Sequence, residues 1–155
     1  MGGGKIMKVL VKKMNKNAKV PFKTHESDFC YDVVATSCEE IAPNVYKYGL
    51  GLAFQMERGW ATGVYNGQFS IDVRPRSSVW KTGMVLSNCV GTIDEDYRGE
   101  VSAVFYHVMP NMPKYEVGDR IGQIKIGEAL NIEFVEVDDL SKTKRNTGGY
   151  GSTGK

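Results

Sequence analysis

No stretch of this chain carries the apolar periodicity of a long amphipathic helix, and that constrains its fold more than any other feature. It offers instead short runs that alternate between apolar and polar residues, separated by turn-forming residues. Between residues 68 and 74, Phe69, Ile71 and Val73 point one way, and Gln68, Ser70, Asp72 and Arg74 the other. Residues 6–12 read as an edge strand followed by lysines. Residues 31–36 read as a second strand, interrupted by Asp32, an acid that needs a polar face or a partner. Residues 45–54 make a third, with Gly49 and Gly51 marking bulges or close backbone approaches. Residues 59–67 carry hairpin signals, and 101–108, 121–126 and 132–137 complete the set. Residues 77–83 make one short helix, with Ser77 or Ser78 as N-cap and Gly83 at its end. Many short strands between turns predict an all-β fold, a jelly-roll-like distorted barrel or sandwich.

The 155 residues suit one domain with a sizeable core. A formal net charge of +2 is too small to argue for a nucleic-acid partner. No apolar run approaches the roughly 20 residues of a helical membrane span. Residues 1–5 lack the apolar core of a signal peptide and read as a loose, tag-like leader before a domain spanning 6–140. Cys30, Cys38 and Cys89 are odd in number and lack metal-type spacing, so they read as reduced thiols in an intracellular, cytoplasmic protein. His25 and His107 are too few for a histidine metal site, and His107 alternates with Phe105 and Ala103 as a structural residue would. From residue 141 aliphatic side chains nearly vanish, which predicts a flexible, glycine-rich C-terminal arm over 141–155.

Four polar segments could carry chemistry. Residues 88–100 set Asn88, Asp94, Asp96 and Tyr97 between Gly91 and Gly99, and read as a β-hairpin with an acidic, aromatic tip. Such a tip suits a flat polar ring, with backbone groups reading its edge and a carboxylate waiting for water; an ordinary Asp/Gly turn is the competing reading. Arg76, Ser77 and Ser78 follow a strand and Pro75, and their hydroxyls, free N–H groups and planar cation make an anion site. A capped helix with a solvated arginine is the alternative. In residues 118–123, Asp119 and Arg120 could pair with neighbours or across a subunit boundary, while Gln123 could reach a phosphate or an ordered water. In the tail, Arg145 and the glycines and hydroxyls around Gly151, Ser152 and Thr153 could wrap a polyphosphate, and Tyr150 could stack on a base.

Together with Asp32 and its neighbours, these segments resemble, in order, the five motifs of the trimeric dUTP diphosphatases (dUTPases). Tyr31 to Ala35 is similar to the first, Arg74 to Ser78 to the second, and Gly91 to Gly99 with Asn88 to the third. Gly118 to Gln123 is similar to the fourth and Arg145 to Gly154 to the fifth, so the resemblance covers most of the chain. It implies a homotrimer whose active sites draw on all three chains, with the arm ordering over bound nucleotide. It implies water attack on the α-phosphorus of dUTP, releasing dUMP and pyrophosphate, and hence a role in keeping uracil out of DNA and supplying dUMP. It makes Asp94 the general base. It sets Asn88 on the uracil edge, with backbone near Gly91, Thr92, Ile93 and Ser102, and Tyr97 under the deoxyribose. Arg76, Ser77, Ser78 and Gln123 would hold phosphates. Arg145, Gly151, Ser152 and Thr153 would close over them, with Tyr150 stacked on uracil. Mg2+ would ride on the triphosphate and water, with Asp32 reaching it through water. The chain departs from the family pattern at Phe29 and Cys30, where Ala-Gly is usual, and at Asn146, where Gly is usual. Its segment 57–67 is longer than in compact members. A dCTP deaminase and a nucleotide-gated regulatory protein on the same fold are the rival expectations.

Overall fold

The alternating runs become antiparallel strands because one face of each can be buried while the other stays polar. The structure, a computed structural model, describes residues 6–57, 67–149 and 151. Strand β1 (Lys8–Lys13) pairs with β5 (Leu52–Glu57) in a two-stranded sheet. The second sheet runs β2 (Tyr31–Val34), β10 (Arg120–Ala129), β6 (Gln68–Arg74) and β8 (Gly91–Asp94). The third runs β3 (Ser37–Ala42), β4 (Val45–Gly49), β9 (Ser102–His107) and β7 (Met84–Leu86). The core lies among these sheets. Phe69, Ile71 and Val73 enter it from β6, as their alternation predicts, with Val33, Ile121 and Ile124 from the same sheet. Tyr48, Phe105 and Met84 enter from the third sheet, and Leu52 and Phe54 from β5.

Aromatic rings in the core meet edge to face. Tyr48 sits 5.8 Å from Phe105 and 6.3 Å from Tyr115, ring centroid to centroid. The Tyr48 hydroxyl donates to the Tyr115 carbonyl at 2.8 Å, which satisfies it where water cannot reach. His107 is buried, its Nε2 lies 2.9 Å from the Met112 carbonyl oxygen, and it is structural, as its alternation indicates.

Several elements differ from the sequence reading. Residues 88–100 do not form a hairpin with their flanking strands. β7 and β9 pair with each other in the third sheet, whereas β8 crosses to β6 in the second. Residues 45–54 are two strands, because Gly51 adopts φ +64° between β4 and β5. Residues 77–82 form a 3₁₀ helix whose N-cap position is Arg76, with no side-chain cap, so neither Ser77 nor Ser78 caps it. Residues 132–137 are exposed and form no strand among the described residues. The leader 1–5 and most of the segment 57–67 lie outside the described residues.

Candidate functional site

Central strand β10 brings the polar segments together. Gln123 is the register partner of Asp32 on β2 and of Arg74 on β6, so three distant stretches of sequence meet in one row across the sheet. Pro75 then turns the chain out of β6, and the Gln123 amide donates to the Pro75 carbonyl at 3.1 Å, fixing that turn. Arg76 consequently lies beside Asp32, its Nε 3.3 Å from Oδ1. Arg120 approaches from the other side, its Nη1 3.1 Å from Asp32 Oδ2. The carboxylate is mostly buried, 14% exposed, yet it faces two guanidinium groups, which is how a buried charge is tolerated.

These residues line a cavity of about 510 Å³, with Ser77 and Gln123 in its wall. That volume suits a small polar ligand. Asp28 also lines the cavity, so its two carboxylates balance the two arginines in charge, but the guanidinium groups keep a surplus of N–H donors for an anion. Arg76 also donates to the Ser78 hydroxyl at 3.4 Å, which ties the guanidinium to the first turn of the 3₁₀ helix. Phe29 also lines the cavity, at its exposed rim, with 77% of its surface exposed and the Lys125 ammonium 5.5 Å from its ring centroid. Asp119 accepts the Glu116 N–H at 2.7 Å and closes a turn, so of the Asp119–Arg120 pair only Arg120 reaches the cavity.

The acidic stretch lies elsewhere on the same sheet. Asp94 pairs in register with Ser70, four residues along β6 from Arg74. At about 3.3 Å per residue, that separates Asp94 from the arginine row by roughly 13 Å. Asp94 and Thr92 line a second concavity of about 560 Å³ with Ser70, Asp96 and Arg98. Ile93 turns into the core margin instead, leaving its backbone as the part that could meet a ligand. Asn88 is exposed above Gly91, where a Cβ would come within 3.1 Å of its amide nitrogen, so the amide rests on a glycine. Tyr97 is half-exposed, and its hydroxyl donates to the Glu100 carbonyl at 3.1 Å, which pins the ring over Gly99. Ser102 opens β9 in the third sheet, opposite Gly49.

A model of the dUTPase family matches residues 16–154. The chain belongs to the dUTPase family. It is 34% identical over 151 residues to the deoxyuridine 5'-triphosphate nucleotidohydrolase of Nautilia profundicola, covering 96% of this chain and 100% of that protein. It is 35% identical to the protein of the same name from Hydrogenobaculum sp., covering 96% and 99%. The fold matches that of the Staphylococcus bacteriophage 80alpha dUTPase solved with dUpNHpp, at a TM-score of 0.75, 22% identity and coverage of 96% and 99%. It also matches a mutant dUTPase from phage phi11, described for its coordination of a structural Mg(II) ion, at a TM-score of 0.66, 18% identity and coverage of 87% and 99%.

Within this dUTPase fold, the residues expected to bind phosphate fall into two groups. Arg76, Ser77 and Gln123 share the arginine cavity with Asp32, and Ser78 hydrogen-bonds Arg76. Arg145 is in the exposed arm, where its Nε donates to the Gly148 carbonyl at 2.8 Å within a local turn. Asn146 takes φ +42° in that turn and exchanges hydrogen bonds with Thr143. Gly151 is exposed, while Tyr150, Ser152 and Thr153 lie outside the described residues. Sequence reasoning left Arg120 undecided and missed Thr24, whose hydroxyl is 3.0 Å from Arg120 Nη1. Arg120 carried no clear signal, because residues three apart on a regular strand face opposite sides, and here the register shifts between Arg120 and Gly122. Thr24 carried none, because only the pairing of Phe22 with Asp32 brings it there.

Proposed function

We propose that this chain hydrolyses dUTP to dUMP and pyrophosphate, and that it works as a homotrimer with sites shared between chains. Family membership supports the reaction. The observation that carries the rest is that Asp94 and Arg76 line separate concavities. A base and a phosphate-binding cation must both reach one α-phosphate, yet within one chain the two concavities share no lining residue. A second chain supplying its Asp94 removes the conflict. The apolar segment 130–140 favours such an assembly. Phe134 is 91% exposed and Leu130, Ile132 and Val135 are exposed with it, while a groove lined by Val9, Val11, Phe54 and Ile126 lies open beside β1.

In this reading Arg76, Ser77, Ser78 and Gln123 hold the triphosphate, and Arg145, Gly151, Ser152 and Thr153 close over it. Asn88 reads the uracil edge with the backbone of Gly91, Thr92, Ile93 and Ser102, and Tyr150 covers the base. Tyr97 lies under the deoxyribose. Asp94 orients a water and takes its proton as the water oxygen bonds to the α-phosphorus; the bond from that phosphorus to the bridging oxygen breaks, and pyrophosphate leaves. The arginines neutralise the phosphates and hold the leaving group in position.

Mg2+ fits this donor set only as a hydrated ion carried by the substrate. Among the described residues no three His, Cys, Asp or Glu side chains converge on a metal position. Asp32 already faces two arginines but keeps lone pairs for a water, which suits an ion that retains several waters. Bound there, the ion would neutralise phosphate charge and orient the leaving group.

The test is pyrophosphate release from dUTP, dCTP, dTTP and UTP, each with Mg2+ and with chelator. Selective, Mg2+-dependent release from dUTP is the expected result. Ammonia release from dCTP would indicate a deaminase, and tight dUTP binding without turnover would indicate a regulatory protein.

A further inference from the structure

We propose that Thr24 is a positioning residue of the phosphate site, acting through Arg120 and Asp32. The inference rests on the arginine cavity being the triphosphate site, and extends that reading to a residue outside the segments that resemble family motifs. Phe22 and Asp32 exchange backbone hydrogen bonds of 3.2 and 2.7 Å, so the chain before β2 runs antiparallel beside it. That pairing delivers Thr24, two residues on, to the edge of the Asp32 carboxylate. Arg120 Nη1 donates both to Thr24 Oγ1 at 3.0 Å and to Asp32 Oδ2 at 3.1 Å, while the Thr24 hydroxyl donates to Asp32 Oδ2 at 3.4 Å. The three groups close a ring in which the hydroxyl accepts from the cation and gives its hydrogen to the anion. No aliphatic side chain can do both.

The ring matters because Asp32 serves two arginines. Its Oδ2 is held by Arg120 and Thr24, which leaves Oδ1 turned to Arg76. Arg120 is a long side chain, 41% exposed, with many rotamers available. Without the Thr24 hydroxyl its guanidinium has one anchor fewer, and it can swing toward Oδ1 and compete with Arg76. Both cations would then be less well ordered when the phosphates arrive. Thr24 lines the arginine cavity and not the concavity that holds Asp94, so its removal should weaken phosphate binding and spare the chemical step.

The experiment uses Thr24→Val and Thr24→Ser in the full chain. It measures KM and kcat for dUTP and the dissociation constant of inorganic pyrophosphate. Thr24→Val should raise KM and the pyrophosphate constant about three- to tenfold, the range for one hydrogen bond to a charged group at a partly exposed site, with kcat within about twofold. Thr24→Ser keeps the hydroxyl and should restore both. Arg120→Lys keeps the charge but not the fork, and should reproduce the Thr24→Val pattern should Thr24→Val itself not fold. Unchanged pyrophosphate binding in Thr24→Val, or a serine variant as impaired as the valine one, overturns the proposal. A wild-type chain that fails to hydrolyse dUTP overturns the functional reading instead, and the pyrophosphate measurement still decides the role of Thr24.

Discussion

Gly99→Ala should change which sugar the site accepts without altering Tyr97, the residue proposed to lie under it. The Gly99 backbone lies outside the left-handed region, so alanine is conformationally permitted. Its Cβ, however, would come 2.6 Å from Cζ and 3.1 Å from Cε2 of Tyr97. No methyl group tolerates that approach, so the ring must swing away and give up its hydrogen bond to the Glu100 carbonyl. Losing that bond costs about 1 kcal/mol. Replacing glycine returns about 0.4–1 kcal/mol by restricting the unfolded chain. The melting temperature should therefore move by only a few degrees or less. Selectivity should move much further, because the ring that would crowd a 2′-hydroxyl is displaced. The ratio of kcat/KM for dUTP over UTP should fall by roughly ten- to a hundredfold, the range for a pocket that loses one shape contact. Steady-state pyrophosphate release on both nucleotides, alongside Tyr97→Ala, measures it. A ratio equal to wild type in Gly99→Ala, with Tyr97→Ala impaired, would refute the argument that Gly99 sets the ring.

Asp94→Asn keeps the shape of the side chain and removes the carboxylate proposed as the base. Its kcat should drop by about two to four orders of magnitude with little change in dUTP binding, and normal turnover would remove Asp94 from the base role. Phe134→Asp places a charge on the apolar segment proposed to seat on another chain; sedimentation should show a smaller species, and an unchanged mass would show that this segment is not an interface. Alkaline stability follows from Tyr48 and Tyr115. Burial pushes both hydroxyls above the ordinary 10.0, for Tyr115 against an opposing pull from Arg76. The folded chain thus keeps protons that the unfolded chain releases. Stability is complete below pH 10 and is lost progressively as pH rises above it. Denaturant midpoints across that range should fall less steeply in Tyr48→Phe, and an equal slope would contradict the assignment.

Much of the fold was legible wherever alternation is long enough to set a face. β6 and β9 are examples, and their inward residues are those that alternation selects. The pairing of β7 and β8 was not legible. β7 has three residues and β8 four, and their partners are set by long-range register rather than by local pattern. That is why residues 88–100 looked like one hairpin although the chain changes sheets within them. Residues 132–137 have β-forming composition but name no partner, and they form no strand among the described residues. At the site, Asp32 stood out as an acid in an apolar run, and its partners proved to be the two arginines. The grouping of Asp32, Arg76 and Gln123 needed the central position of β10, which no local signal carries.

The most direct test of the account asks whether one site is built from separate chains. Arg76→Ala and Asp94→Asn chains, each inactive alone, would be co-expressed in equal amounts and the mixed assemblies assayed for dUTP hydrolysis. If Arg76 and Asp94 of a site come from different chains, random assortment should restore about one quarter of wild-type sites. Activity no greater than that of the separate variants would mean that each chain builds its own site, and would contradict the account.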